Sequence, residues 1–171
     1  MFDGKLTREE LICAFKDGRK FEDLDLSELD LSRTNLTNIV FNKSSLKKTD
    51  FTRANLTGSK LNQTDLREAI FFRANLFEAD LKKADLRNAN LESANLSGAA
   101  DNSSQNTPRV FGADLSGADL RNANLRNANL VRVKFDYADL RGADLTGSNM
   151  TRVSLQGTKY DANAFDKVIN V

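Results

Sequence analysis

The sequence predicts an all-β fold, a four-sided solenoid whose chain turns a corner every five residues. Three observations carry this. Stepping by five from Phe21 meets Phe21, Leu26, Leu31, Leu36, Phe41, Leu46, Phe51, Leu56, Leu61, Leu66, Phe71, Leu76, Leu81, Leu86, Leu91 and Leu96, every one Leu or Phe. The run restarts in a new phase at Leu115, Leu120, Leu125, Leu130, Phe135, Leu140, Leu145, Met150 and Leu155, ending at Tyr160. Of 23 leucines, 19 lie on these positions, so the period organises the chain. Second, the residue two before most of these is small, usually Ala, as at Ala54, Ala69, Ala74, Ala84, Ala118 and Ala138. Third, Asp or Asn usually stands between the two, as in Ala84-Asp85-Leu86 and Ala89-Asn90-Leu91.

A period of five fits neither regular element. On a straight helix five residues rotate the side chain by about 500°, so the leucines drift around the cylinder. On a straight strand an odd period sends alternate leucines to opposite faces. All point inward only if the chain bends once per repeat. Small and large residues two apart then share the inner face of a short extended segment. Corners of about 90° give four sides and about 20 residues per coil, with coils about 4.8 Å apart. The small residue is needed because four sides converge on one axis. Asp, Asn and Gly are the residues that satisfy or relax a tight corner.

This A-(D/N)-L-x-x pattern resembles the pentapeptide-repeat family over about residues 19–160, with one interruption. The resemblance implies a right-handed quadrilateral β-helix. It also implies a non-catalytic protein, since many relatives have no assigned activity. Some members mimic DNA in shape and charge and bind DNA gyrase, giving quinolone resistance, but those rods are strongly acidic.

The ends and the interruption divide the chain into an N-terminal capping helix (1–20), a first solenoid segment (21–97), an inserted surface loop (98–112), a second segment of the same domain (113–160) and a C-terminal cap (161–171). Solenoid ends need caps because they expose core and unpaired edges. Thr7-Arg8-Glu9-Glu10 fits a capping box, Leu11, Ile12 and Phe15 form an apolar stripe, and Gly18 is the stop, so a helix is expected over about 8–17. Cys13 is expected at a small core or boundary position on it. Leu24 and Leu29 stand where Ala belongs, so the first coil is expected to widen there. After Asp161, the spacing of Phe165, Val168 and Ile169 predicts a short helix. The interruption contains the only proline, Pro108, and reads as a loop.

Composition narrows the function. Lys and Arg total 25 against 24 Asp and Glu, so no general pull toward nucleic acid or an anionic membrane exists, and a gyrase-binding DNA mimic is disfavoured. There is no histidine, which removes the commonest general base and metal ligand. One cysteine allows no internal disulfide, which suits a reducing cytoplasm. No apolar stretch is long enough to span a bilayer. No catalytic, cofactor or metal constellation stands out, so no enzyme activity, cofactor or metal is expected. The expected role is a structural or protein-binding module for an unidentified protein partner, with a homodimer through the C-terminal end as one arrangement. Nucleic acid and membrane are not expected partners.

Six residues are candidates for the binding surface: Phe72, Phe77, Phe111, Lys47, Arg67 and Arg87. Lys47, Arg67 and Arg87 stack at 20-residue spacing, as do Arg33, Arg53 and Arg73 on a neighbouring face. Either column could serve an anionic partner. The preferred reading is a self-neutralised surface, because Asp65 and Asp85 flank Arg67 and Arg87. Arg121 and Arg141 extend the first column if Leu115 resumes the repeat directly after Leu96. Asn35, Asn55, Asn75 and Asn95 also stack, and are expected to bond coil to coil through their amides. Phe72 and Phe77 occupy outward positions where polar residues are usual. They are either an exposed patch or are covered, by a crystal or dimer contact or by the loop, whose Val110-Phe111 pair has no repeat position of its own.

Overall fold

The computed structural model describes residues 6–99 and 112–170. Outward residues pair in parallel with those 20 positions on, as Asn35 with Asn55, Asn55 with Asn75, and Asn75 with Asn95. Twenty residues per coil, in four pentads, make the right-handed quadrilateral β-helix. Its faces are named here by their inward columns. Face 1 carries Phe21, Phe41, Leu61, Leu81, Leu115 and Phe135, and face 2 carries Leu26, Leu46, Leu66, Leu86, Leu120 and Leu140. Face 3 carries Leu31, Phe51, Phe71, Leu91, Leu125 and Leu145, and face 4 carries Leu36, Leu56, Leu76, Leu96, Leu130 and Met150. All of these are buried. Phe51 and Phe71 stack at 5.0 Å with rings nearly parallel, and Phe21 and Phe41 meet tilted at 5.8 Å.

The repeat code follows from backbone accounting, because each pentad has five N–H groups to place. The core residue donates to the coil above (Leu86 to Asp119 O, 2.7 Å), and the outward residue before it donates to the coil below (Asp85 to Thr64 O, 3.0 Å). The second corner residue donates upward (Asn88 to Arg121 O, 3.1 Å), and the next small residue closes the turn (Ala89 to Leu86 O, 3.0 Å). The first corner N–H is left over. The Asp or Asn before the core residue accepts it, as Asp85 Oδ1 accepts from Arg87 N at 3.2 Å and Asn75 Oδ1 from Phe77 N at 3.2 Å. Such a bond is worth about 1 kcal/mol per corner. On face 1, where Asx is often missing, the coil below supplies the acceptor: Asn42 Oδ1 for Asn62 N, and Asp136 Oδ1 for Gln156 N.

The second corner residue has positive φ in every described pentad from Asp23 to Ser93 and from Gly117 to Gly157. These are turns of the type II class, which require that sign at their third residue. Where Gly fills the corner it also makes room below. A Cβ on Gly142 would lie 2.2 Å from Asn122 Oδ1.

Before the last coil, where Asn149 pairs with Asn170, the bridge offset changes at one place only. Asp80 pairs with Asp114, and Asn95 with Asn129, 34 residues apart instead of 20. Fourteen extra residues therefore enter one corner without shifting the register. Ala113 N bonds Leu96 O at 2.8 Å, as in an ordinary turn, so Leu115 does follow Leu96 directly. Gly112 closes this corner: a Cβ there would lie 2.8 Å from Leu96 O and 3.0 Å from Val131 O. Most of the segment read as a loop, including Val110 and Phe111, lies outside the described residues.

The N-terminal cap α1 spans Arg8–Lys16. Thr7 and Glu10 form the reciprocal capping box. Gly18, at φ +76, ends the helix by donating to Phe15 O while Arg19 donates to Ala14 O, a Schellman closure. Leu11 and Ala14 are buried. Cys13 corrects the sequence expectation, for it is exposed. It sits two residues from Leu11, about 200° around the helix, on the outward side. Leu24 and Leu29 are half-buried against the core, the coil keeps its 20-residue register there, and Leu24 N donates to Ser44 Oγ at 3.0 Å.

The C-terminal helix is also corrected. Residues 161–169 form turns closed by i to i+3 bonds, Asp161 O to Ala164 N and Asn163 O to Asp166 N. Asn170 then pairs with Asn149, so this segment stands in for the missing pentads of the last coil. Phe165 and Val168 turn toward the core, whereas Ile169 is 66% exposed. Among the described residues no helix is long and apolar enough to cross a membrane.

Candidate interaction surface

Side chains outside the core lie on the faces or at the corners, and where they lie decides what they can do. A first-corner arginine stands two residues after its own Asp, within reach of that carboxylate. Arg67 Nη2 meets Asp65 Oδ2 at 2.6 Å, Arg87 meets Asp85 at 2.6 Å, Arg121 meets Asp119 at 2.7 Å and Arg141 meets Asp139 at 2.5 Å. Each pair is bidentate through Nε. Arg67 also approaches Asp85 at 3.7 Å, and Arg87 approaches Asp119 at 3.6 Å, which links the coils. Lys47 meets Glu68 at 3.6 Å. The column Lys47, Arg67, Arg87, Arg121, Arg141 is therefore continuous and paired along its length.

The electrostatics follow this pairing. Hydrogen bonds from Arg67, Arg121 and Arg141 hold Asp65, Asp119 and Asp139 below the ordinary carboxylate range, Asp139 at about 2. Hydrogen bonds from Thr146 draw Asp144 down to about 2 as well.

Phe72 and Phe77 are half-exposed on adjacent corners of one coil. The Arg73 guanidinium carbon lies 5.0 Å from the centroid of the Phe72 ring. Phe111, the third aromatic candidate, falls outside the described residues. Sequence reasoning missed Ile70, 37% exposed, which stands in the outward position of face 3 where Asp50 and Asn90 stand below and above it. Its signal was available, for an aliphatic residue there puts no oxygen near the Phe72 N–H. The reading also missed Tyr137, 65% exposed at a second corner, with its hydroxyl accepting from Gln156 Nε2 at 3.1 Å.

Only part of the asparagine column bonds through its amides: Asn75 Nδ2 to Asn55 Oδ1 at 3.4 Å, and Asn95 Nδ2 to Asn75 Oδ1 at 3.0 Å. Its larger duty is to accept from corner N–H groups, at Thr37, Thr57, Phe77 and Ser97. Among the described residues no group of three or more His, Cys, Asp or Glu could hold a metal ion.

The chain is similar to HetL, a pentapeptide repeat protein involved in heterocyst differentiation regulation from the cyanobacterium Nostoc sp. strain PCC 7120, at 24% identity over 90% of this chain and 96% of that one, TM-score 0.36. It is similar to QnrB1, a plasmid-mediated fluoroquinolone resistance protein, at 20% identity over 85% of each chain, TM-score 0.46. It is similar to the pentapeptide repeat protein Rfr23 from the cyanobacterium Cyanothece 51142, at 23% identity over 89% and 94%, TM-score 0.39. No curated protein matches the chain. The sequence profile described as pentapeptide repeats (8 copies) matches within 20–100 and again over 113–152, the two stretches that flank the register-neutral insertion. The five-residue period, the 20-residue coil and this match agree, and the chain belongs to the pentapeptide-repeat family.

Proposed function

We propose that the chain is a non-catalytic scaffold that binds a protein partner through the coil bearing Ile70, Phe72 and Phe77. One observation carries this reading. At Ile70-Phe71-Phe72 the repeat gives up both its corner acceptor and its polar corner side chain, placing apolar surface outside instead. A local rule broken with no structural return is what a functional position looks like. Aromatic side chains on a rigid frame also supply contact area at small entropic cost. The paired Lys47, Arg67 and Arg87 are already occupied, so they contribute solubility more than recognition.

Mimicry of DNA is not adopted, because the arginine–aspartate column cancels charge where a mimic needs an acidic face. A cytoplasmic location fits the single exposed cysteine. The experiment is cross-linked capture from native lysate, comparing the parent with Phe72→Ser plus Phe77→Ser. A protein captured by the parent and lost from the variant supports the reading. Equal capture by both removes these residues from the interface.

A second arrangement has its own observation. The first coil is sealed by α1, while at the other end Val153 and Leu155 are only partly buried, Tyr160 is 46% exposed and Ile169 is 66% exposed. End-to-end pairing of two copies would bury this surface. A monomer by sedimentation at high micromolar concentration rejects it.

A further inference from the structure

Arg33, Arg53 and Arg73 hold the second corner after face 3 on three successive coils, about 4.8 Å apart. All three are exposed, and among the described residues none has an ion pair. Geometry explains the contrast with the arginine–aspartate column. A first-corner arginine folds back onto the Asp two residues before it. A second-corner residue has positive φ and stands three residues beyond the outward position, and no acid there pairs with this column: Asp30 meets Arg8, Asp50 Oδ1 accepts from Thr52 N at 2.7 Å, and Arg73 has Ile70. Elsewhere a second-corner cation can borrow an acid from the next coil, as Lys48 does from Glu68 at 3.6 Å. Here Arg33 and Arg53 are followed in the column by another arginine and Arg73 by Ser93.

Three like charges in line oppose folding, and φ values of 55, 57 and 56 strain residues that are not glycine. Glycine or asparagine would relieve both, and an alternating acid would relieve the charge. Instead the column runs beside Ile70 and Phe72 and faces Phe77 across the Asn55–Asn75 amides.

We infer that the corner formed by Arg33, Arg53 and Arg73, with Ile70, Phe72 and Phe77 beside it, docks a partner protein segment carrying carboxylates around an apolar side chain. This rests on the protein-binding reading above and adds the chemistry of the partner. Charge complementarity supplies the anion, since these guanidinia lack the acids that neutralise the neighbouring column. The occupant is protein and not single-stranded nucleic acid for two reasons. Base stacking needs an open ring face, and Arg73 already lies over Phe72 at 5.0 Å. Three cations on an otherwise balanced rod also fall short of the six to ten or so phosphate contacts typical of strong backbone binding.

The test pans a random-peptide library displayed on phage against the full chain at low salt. Recovered peptides should be rich in Asp and Glu around an aliphatic or aromatic residue. Arg33→Glu, Arg53→Glu and Arg73→Glu together should weaken their binding about tenfold or more by fluorescence anisotropy, and added salt should weaken the parent's. The triple variant should fold, because Glu28, Glu68 and Glu78 already occupy the same corner position at φ 66, 61 and 54. Arg67→Gln with Arg87→Gln should bind as the parent does. Peptides with no acidic bias, or equal binding by the triple variant, overturn the inference but leave the Phe72 and Phe77 reading standing. No recovered peptide also overturns it, as does binding of oligothymidylate in place of peptide that the triple variant loses.

Discussion

At the residue scale, each repeat position has one physical task, and two substitution pairs separate them. Leu86 is fully buried, so Leu86→Asp places an unpaired charge in an apolar column and should prevent folding. Arg87→Ala, next along the chain, removes only a solvent-screened ion pair and should leave the thermal melt nearly unchanged. Asp119 tests whether the acid serves the turn or the charge pair. Asp119→Asn keeps an oxygen for the Arg121 N–H and should cost less than about 0.5 kcal/mol, whereas Asp119→Ala leaves that N–H without its acceptor and should cost about 1 kcal/mol. Equal losses would mean that the charge pair matters more than the cap. Inside and outside were legible in the sequence because one period fixes both. The positive φ of the second corner was not, because Arg, Lys and Glu fill it more often than Gly, and nothing in those side chains announces a left-handed backbone.

At the scale of elements, α1 was legible to within a residue because Thr7, Glu10 and Gly18 each carry a local signal. The C-terminal segment was misread because Phe165, Val168 and Ile169 have helical spacing, yet the last coil constrains them more strongly. Ile169 N bonds Ser148 O at 2.8 Å, a sheet-like contact that fixes Ile169 outward. Tertiary pairing overrode the local period. The binding corner was half legible. Phe72 and Phe77 stood out, but choosing between two basic columns required knowing which corner lets an arginine reach an acid. The cap itself has a direct test. Deleting residues 1–18 uncovers Phe21 and Leu26 of the first coil and should lower the melting temperature or cause aggregation. A truncated monomer with an unchanged melt would make α1 an appendage.

At the scale of the whole molecule, pH separates the acids from everything else. With no histidine, little should titrate between about pH 5 and 8, and stability should be flat there. Asp139, held low first by the Arg141 hydrogen bond, and Asp144, held low first by Thr146, have folded values of about 2, below their ordinary 3.8. A depressed folded value means that the ionised acid favours the fold. That contribution is complete above about pH 4 and is lost as pH falls toward 2. Melting temperatures should therefore be level to about pH 5 and decline below about pH 4. A decline centred near neutrality would require a titrating group that the rod does not contain.

The constant coil height has a metric consequence for anything lying along the rod. Equivalent side chains recur about every 4.8 Å, while an extended peptide advances about 3.3 Å per residue. Alternate side chains of an extended guest point away from the rod, so those facing the corner recur only about every 6.6 Å. The two rulers behave as a vernier whose coincidence returns near about four coils against six residues, a longer span than the two coil heights from Arg33 to Arg73. A strand lying along the corner would therefore stand level with one arginine at a time, and the reach of the long arginine side chains, not a matched repeat, would let the others engage.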